Sequence, residues 1–331
     1  MLFNFKKKAN KPIKNRAGGD AYKQSPKMEL ASIMLTSFAQ DQFYRSGKNT
    51  FKELVELLAK VDSLFAAKAA VYARTKFNMR SITHVLAAEM AAYVSGKPWA
   101  KEFYATVVSR PDDMLEIVAY YFNNGGKTLP NAMKKGFGKA FDKFDAYQLA
   151  KYRGENRSVK LIDLVNLVHP VPTQRNAKAL QDLVNDTLRN TNTWEAKLTS
   201  AGQKSETKED KQERKATAWK ELVSENKLGY FALLRNLRNI ASQAPDILDV
   251  ALKTLTNRER IKKSKVLPFR FLSAMDAIKE ADLDTELSRK IQKGLAEAVE
   301  LSLDNVPVFE GRTLVVLDDS GSMTWTGRKG M

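Results

Sequence analysis

The chain has 331 residues, of which 43% are hydrophobic, so it is long enough to bury a substantial core in one large or two ordinary domains. Its 55 lysines and arginines outnumber 38 acidic residues, and the formal net charge of +17 favours a polyanionic partner, nucleic acid before an anionic membrane. The absence of cysteine excludes disulfides, thiolate metal sites and cysteine nucleophiles, and makes the cytoplasm the expected location.

Residues 1–24 are predicted to form a basic N-terminal arm. A short apolar start precedes Lys6, Lys7 and Lys8, which is the reverse of the charged-then-apolar order of a signal peptide. No apolar run in the sequence approaches the roughly 20 residues that a membrane helix needs. We therefore expect no membrane partner.

Residues 25–305 are predicted to form one helical module. Apolar residues recur at helical spacing over 51–65, 114–122 and 231–240, and the segment 161–168 is apolar around much of its circumference. Prolines fall between such stretches, where they can start or stop a helix: Pro98, Pro111, Pro130, Pro170, Pro172, Pro245 and Pro268. This density of short helices predicts an all-α fold, a HEAT-like α-solenoid of stacked helix pairs.

Positive charge is concentrated in residues 1–20, 127–160 and 227–270, which carry net charges of +5, +6 and +7, while the remaining sequence is near −1. Any one such segment can be a hydrated helix face, but three of them beside a near-neutral remainder favour a nucleic-acid surface. In 127–160 the basic residues are interleaved with aromatic residues, most of which are predicted to lie in the core. The candidate RNA contacts there are Lys134, Lys135, Lys139, Lys151, Arg153, Arg157 and Lys160, and Lys143 belongs to the same tract.

The second half of the chain contains an insertion and a further group of candidates. Residues 195–217 are rich in charged and polar side chains and are predicted to be an exposed excursion, helical in part. Two Arg-Asn pairs three residues apart are predicted near one side of a helix, where they could bind phosphates and bases or serve capping and interhelical hydrogen bonds. The candidates are Arg235, Asn236, Arg238 and Asn239, followed by Arg270.

The spacing changes at the carboxyl end. Residues 313–317 form a β-branched and aliphatic run typical of a buried parallel strand, so 306–331 is predicted to begin an α/β domain. Asp318, Ser320 and Ser322 follow the strand with oxygen ligands suited to Mg²⁺, and they resemble the metal site of von Willebrand factor A domains. The alternative is a Ser/Gly-rich tail. Because the further ligands of that family do not occur before residue 331, we expect Mg²⁺ or a similar cation to bind only if the domain is completed.

The helical module carries a second resemblance. Residues 141–153, 159–170, 227–240 and 267–271 resemble segments of the TROVE module of the Ro ribonucleoprotein family, and the resemblance covers roughly 25–305. It implies a ring of HEAT-like helix pairs that a von Willebrand A-type domain helps to close. It also implies a structured Y RNA on the basic outer surface and single-stranded 3′ ends of defective RNAs in the central hole. Lys151 and His169 match RNA-contacting positions of that family.

No catalytic arrangement is evident in the sequence. His84 and His169 are the only histidines, and His84, on an apolar helix, is predicted to be structural. There is no Walker-type loop, and a nuclease centred on Asp318 is disfavoured because no base is placed near it. We therefore expect an RNA-binding scaffold and not an enzyme, with an exoribonuclease such as polynucleotide phosphorylase as a possible partner. The alternative is a protein-binding adaptor that uses the solenoid and the von Willebrand segment.

Overall fold

The computed structural model describes residues 12–14, 18–37, 46–189, 193–203 and 207–306, together with residues 308, 311 and 317. The chain divides into two compact units, Met1–Asn190 and Thr191–Met331. The described residues are mostly helical, which confirms the all-α class. Among them no helix is both long enough and apolar enough to cross a membrane.

A small sheet lies in the segment predicted as a basic arm. Strands β1 (Pro12–Lys14) and β2 (Asp20–Tyr22) pair antiparallel, with Pro12 opposite Tyr22. Lys14 Nζ lies 2.5 Å from Asp20 Oδ1 across the pair. Gly18, between the strands, has a φ of 82°, which glycine adopts without a steric penalty. The sequence did not predict this hairpin, because strands of three residues are too short to show an alternating pattern.

The described part of unit 1 contains ten α-helices. They are α1 (Pro26–Thr36), α2 (Gly47–Leu58), α3 (Ser63–Lys76), α4 (Ser81–Glu89), α5 (Ala100–Val107), α6 (Pro111–Asn123), α7 (Asn131–Ala140), α8 (Ala146–Lys151), α9 (Leu161–Val168) and α10 (Ala177–Val184), with 3₁₀ turns at Met90–Ala92 and Phe141–Lys143. Helices that are two apart along the chain contact each other: α1 contacts α3, α3 contacts α5, and α5 contacts α7. Stacked helix pairs produce such alternation. The solenoid and its closure into a ring stay predictions.

The described part of unit 2 contains seven α-helices. They are α11 (Trp194–Gln203), α12 (Lys208–Ser224), α13 (Tyr230–Gln243), α14 (Leu248–Leu255), α15 (Arg258–Ser264), α16 (Pro268–Lys279) and α17 (Thr285–Ser302), with 3₁₀ turns at Pro245–Ile247 and Leu303–Asn305. Helix α13 contacts α12, α14, α15 and α16. Helices α11 and α12 pack together over most of the segment predicted as an exposed, partly helical excursion.

Capping residues set several helix boundaries, and one of them corrects a prediction. The apolar spacing over 51–65 predicted one helical stretch, but α2 ends at Leu58 and α3 begins at Ser63. Asp62 is the reason, because its Oδ1 accepts a hydrogen bond from the Phe65 backbone N–H at 2.9 Å and so starts a new helix. Pro111 begins α6 as its fixed φ favours.

Each unit has its own hydrophobic core. In unit 1 most aromatic side chains of the basic tract are buried, as the helical spacing predicted; Phe137, Phe141 and Phe144 are fully enclosed. Burying large aromatic side chains is a major stabilising contribution in a core of this kind. The predicted C-terminal strand lies outside the described residues except for Leu317.

Candidate nucleic-acid interface

Three predicted RNA-contacting arginines surround one cavity of unit 2. The cavity has a volume of about 540 Å³ and is lined by Arg235 and Arg238 from α13 and by Arg270 from α16. We call it the arginine cavity. Leu237 and Ile240 anchor α13 in the core, 1% and 0% exposed, so the face that carries the arginines is turned outward.

The lining of the arginine cavity suits an anionic, aromatic ligand. No carboxylate is among its described lining residues, so the three guanidinium groups, which remain charged at physiological pH, meet no acidic group there. Phe231 lines the same cavity and is 43% exposed. Phe269 is 51% exposed, and the Arg270 guanidinium carbon lies 5.0 Å from its ring centroid. Guanidinium groups beside exposed aromatic rings can hold phosphates and unpaired bases.

Asn236 and Asn239 do not line this cavity, although the two Arg-Asn pairs lie near one side of α13 as predicted. The two asparagines line a different cavity, against α11 and α12. Asn236 Nδ2 donates to the carbonyl oxygen of Ala232 at 2.8 Å, and Asn239 Nδ2 donates to Asn236 Oδ1 at 3.3 Å. At about 100° per residue, the four positions span roughly 160° of the helix, with the arginines toward one edge of that arc and the asparagines toward the other.

Part of the basic tract in unit 1 is engaged in contacts within the protein. Lys139 Nζ lies 2.8 Å from Glu102 Oε2, and the hydrogen bond and charge of Lys139 lower the pKa of Glu102. Lys143 Nζ donates to the carbonyl oxygens of Ala105 and, at 2.8 Å, of Val108, just beyond the last turn of α5. Desolvation lowers the pKa of Lys143. Lys143 therefore serves mainly to satisfy carbonyl groups at a helix end.

Arg153 and Arg157 also have partners within unit 1. Arg153 lies 2.7 Å from Glu155 through Nε and 2.7 Å from Asp186 through Nη2, and it donates to the Leu188 carbonyl oxygen. Arg157 pairs with Glu116 of α6. Both arginines thus hold the loop between α8 and α9 against neighbouring elements. Apart from Glu155, the partners lie 33 to 41 residues away along the chain, so the sequence could not have identified them.

The other predicted basic residues of the tract are exposed or half-buried lysines. Lys135 and Lys160 are exposed and Lys134 is half-buried, and none of the three has an acidic partner among the described residues. Lys151 ends α8 with its Nζ 5.8 Å from the ring centroid of Tyr147. These four lysines are the positions of the tract best placed to meet a polyanion.

A buried charge cluster centres on Asp113, which is 0% exposed. Its carboxylate accepts hydrogen bonds of 2.7 to 3.0 Å from Arg74, Arg80 and His84 and from the backbone N–H groups of Ser109 and Arg110. Burial alone raises the pKa of Asp113, but the hydrogen bond and charge of His84 and the charge of Arg74 outweigh it and hold the pKa below its ordinary value. His84 lies 5% exposed in this cluster, in the structural position predicted for it.

The neighbouring Asp112 connects this cluster to the basic tract. Asp112 lies 2.5 Å from Arg80 and 2.6 Å from Arg110, and Arg157 Nη2 lies 3.7 Å away. The Arg110 guanidinium carbon lies 4.6 Å from the ring centroid of Tyr152, next to Lys151 in sequence. The start of α6 therefore contacts the loop between α8 and α9 at its first residue, Tyr152, and at Arg157.

In unit 1, His169 lies at a cavity of about 950 Å³ between α9 and α10. It ends α9 in the left-handed conformation with a φ of 46°, and its N–H donates to the Val165 carbonyl oxygen at 2.9 Å. The side chain is exposed beside polar residues that the sequence did not single out: Asn166, Lys178, Gln181 and Asn185. Positions 178, 181 and 185 recur at helical spacing on α10, which is the signal that could have identified them.

The predicted metal ligands lie in the carboxyl-terminal segment. Asp318, Ser320 and Ser322 lie beyond the described residues, so the predicted Mg²⁺ site stays a prediction. Within the described ranges, no group of three or more histidine, aspartate or glutamate side chains is placed to hold a metal ion.

Comparison with known proteins identifies the family. The family model described as "TROVE domain" matches residues 23–217 and 188–313, which together cover most of the chain. "Telomerase protein component 1" of Mus musculus is 23% identical over 361 aligned residues, covering 82% of this chain and 13% of that protein. The protein of the same name from Rattus norvegicus is 22% identical, covering 81% of this chain and 13% of its own length. The chain thus spans about an eighth of the curated relatives that it matches. On the strength of the family match, this chain belongs to the TROVE domain family.

Proposed function

We propose that this chain is an RNA-binding component of a ribonucleoprotein. The observation that carries the proposal is the arginine cavity, where three guanidinium groups and the exposed ring of Phe231 meet without a carboxylate in the described lining. The segregation of the net charge of +17 into three segments supports a polyanionic ligand. Membership of the TROVE family and the relatives named as protein components of telomerase agree with a place in such a particle.

The arginine cavity is suited to an unpaired strand. Its volume of about 540 Å³ is that of a small-ligand pocket and is too small for a duplex. An unpaired strand exposes its phosphates and bases together, so arginines can hold the backbone while aromatic rings stack on the bases. A duplex presents mainly phosphates and a deep, narrow major groove that side chains cannot read. We therefore propose that a single-stranded 3′ end enters this cavity.

Replacement of Arg235 and Arg238 by alanine should weaken binding of a hairpin RNA with a single-stranded 3′ extension. Each phosphate or stacking contact is worth on the order of 1–3 kcal/mol, so we expect a loss of at least tenfold in affinity. Loss of two phosphate contacts on a single strand should also reduce the slope of log affinity against log salt by about 1.4. Fluorescence anisotropy over a salt series measures both effects.

The matched control for this experiment is Arg289→Ala with Lys293→Ala, which removes the same charge from exposed positions of α17 outside the cavity and the basic segments. The same hairpin without its extension provides the second reference. If the extension adds no affinity to the wild-type protein, or if the cavity variant retains the full gain, single strands do not bind in the arginine cavity. RNA binding that is insensitive to salt in every variant contradicts phosphate contacts, and the absence of RNA binding favours the adaptor alternative.

We place the structured RNA on the basic tract of unit 1, where the family resemblance assigns roles to Lys151 and His169. The double variant Lys151→Ala with His169→Ala should weaken hairpin binding by about 30-fold or more, since each of the two contacts contributes on the order of 1–3 kcal/mol. Filter binding measures the change, and circular dichroism verifies folding. Lys60→Ala with Lys68→Ala, at exposed positions of unit 1 outside the basic segments, is the control. Unchanged hairpin affinity in the double variant removes Lys151 and His169 from the interface.

The identity of the RNA is a finer proposal that rests on the resemblance to Ro proteins. It assigns a Y-like non-coding RNA to the basic tract and the 3′ ends of misfolded RNAs to the arginine cavity. An exoribonuclease would then receive those ends in RNA quality control. Co-purification of this chain with its RNA, followed by sequencing, tests the assignment directly.

A further inference from the structure

A second cavity of unit 2, of about 530 Å³, lies between α13 and the α11–α12 pair. We call it the amide groove. It shares no lining residue with the arginine cavity. Its lining includes Lys211 and Lys215 of α12 and the carboxamides of Asn236, Asn239 and Gln243 of α13, and no carboxylate is among its described lining residues. Positions 236, 239 and 243 recur at helical spacing, so the three carboxamides follow one face of α13.

The carboxamides are held in place by contacts that leave part of their hydrogen-bonding capacity for a ligand. Asn236 is satisfied by Ala232 and Asn239. Trp219, 2% exposed, donates through Nε1 to Gln243 Oε1 at 3.0 Å and so orients that amide. Among the described residues, the Oδ1 atom and second N–H of Asn239 have no protein partner. A carboxamide whose position is fixed and which still offers a donor and an acceptor can read the edge of a base.

The two lysines of the groove differ from Lys197 and Lys220 of the same hairpin. Lys197 pairs with Glu221, and Lys220 pairs with Asp246. Lys211 and Lys215 have no ion pair with any described residue. A Cβ atom at Gly202 of α11 would lie 3.5 Å from Lys215 Cε and 3.6 Å from Lys211 Cε. The aliphatic parts of both lysine side chains therefore pass over α11 at Gly202, where no side chain obstructs them. Their ammonium groups therefore lie together at the groove and give it a positive charge of two.

The geometry points to the amide groove as a second RNA site, one that binds an unpaired nucleotide with a preference for adenine. A carboxamide donates to N7 and accepts from the N6 amino group of adenine, a pairing that uracil cannot make. Unpaired bases offer these edges freely. Lys211 and Lys215 bind the adjoining phosphates as point charges. This site rests on the proposed function and adds a base preference that the arginine cavity, which offers no carboxamide, does not provide.

The test uses the whole chain and compares single-stranded RNA oligomers of equal length that contain only adenine or only uracil. The wild-type protein should bind the adenine oligomer about tenfold more tightly, the discrimination expected of one bidentate contact. Asn239→Asp keeps the shape of the side chain but replaces its donor with an acceptor. It should bring the affinity ratio close to one. Because the change also removes the hydrogen bond to Asn236 Oδ1, the thermal unfolding temperature should fall slightly, and circular dichroism verifies that the variant still folds.

Lys211→Ala with Lys215→Ala should weaken the binding of both oligomers by a similar factor and preserve the adenine preference. Lys197→Ala with Lys220→Ala removes equal charge from the same hairpin and should have a smaller effect, since both lysines are already paired. An adenine preference that survives in Asn239→Asp overturns the assignment to this groove. Equal affinity of the wild-type protein for the two oligomers overturns the adenine site but leaves the proposed RNA-binding function intact. If neither the oligomers nor the hairpin with a 3′ extension bind, the proposed function and the groove assignment both fall.

Discussion

Replacement of Asp113 by alanine is expected to lower the free energy of unfolding of unit 1 by about 3–5 kcal/mol. The carboxylate is fully buried and pairs with the Arg74 guanidinium group at 2.7 Å. Arg74 is itself 5% exposed, so alanine at position 113 leaves a positive charge in the core without its counter-ion. The same change also removes the acceptor for the backbone N–H groups of Ser109 and Arg110 at the start of α6.

The effect of Asp113→Ala is best compared with that of Asp62→Ala. Asp62 also accepts a backbone N–H at a helix start, but it lies near the surface, so its loss should cost only about 1 kcal/mol. Urea denaturation followed by circular dichroism measures both, and amide hydrogen exchange of α4 and α6 locates the change. If Asp113→Ala costs no more than Asp62→Ala, the cluster does not hold unit 1 together.

The acid stability of unit 1 should depend on the same carboxylate. The pKa of Asp113 is lower in the folded protein than its ordinary value. A carboxyl group with a lowered folded-state pKa stabilises the fold fully above its unfolded pKa of about 3.9, and the contribution is lost progressively as the pH falls from there through the lower folded value. The deficit of Asp113→Ala relative to wild type should therefore shrink as the pH falls below about 4.

Disruption of this cluster should also displace residues of the proposed RNA surface. Asp112, adjacent to Asp113, holds Arg110, which stacks on Tyr152, and lies near Arg157 of the following loop. These contacts connect the core of unit 1 to the segment that carries Lys151 and Lys160. The positions of the lysines thus depend on the contacts of Arg110 with Tyr152 and of Asp112 with Arg157, whose partners are far apart in the sequence.

The sequence predicted the helical class because apolar side chains recur at helical spacing wherever a helix buries one face. Helices α6, α9 and α13 coincide with the predicted stretches. The break between α2 and α3 was missed because Leu58, Val61 and Phe65 maintain helical spacing across a loop. Only the capping role of Asp62 marks the boundary, and a single capping residue is a weak signal when the apolar pattern continues.

The candidate site was predictable in composition but not in arrangement. Arg235, Arg238 and Arg270 were identified, but their meeting in one cavity depends on the packing of α13 against α16, which no local pattern encodes. Conversely, Lys139 and Arg153 looked available in the sequence, although Glu102 and Asp186 bind them in the fold. Charge density predicts that a segment contacts a polyanion, but tertiary ion pairs decide which of its residues remain available to do so.

Gly136 of α7 is expected to be the least replaceable glycine of the basic tract. A Cβ atom at this position would lie 2.4 Å from the Tyr104 Cβ atom and 2.7 Å from the Lys101 carbonyl oxygen, both on α5. The carbonyl belongs to a helix backbone that cannot rotate away, so the two helices must separate. Overpacking of this kind typically costs about 1–3 kcal/mol and occasionally more. We expect Gly136→Ala to lower the free energy of unfolding by at least 2 kcal/mol, roughly the middle of that range, despite the better helix propensity of alanine.

Gly138 supplies the control from within the same helix. A Cβ atom there would meet only the Val168 carbonyl oxygen, at 3.6 Å, which is an ordinary contact. Alanine at position 138 should therefore stabilise unit 1 by up to about 1 kcal/mol, the usual gain when alanine replaces glycine within a helix. The two substitutions are chemically identical and two residues apart, so opposite signs in urea denaturation isolate the close approach of α5 and α7. Equal effects of the two substitutions contradict that approach, because helix propensity alone cannot distinguish positions 136 and 138.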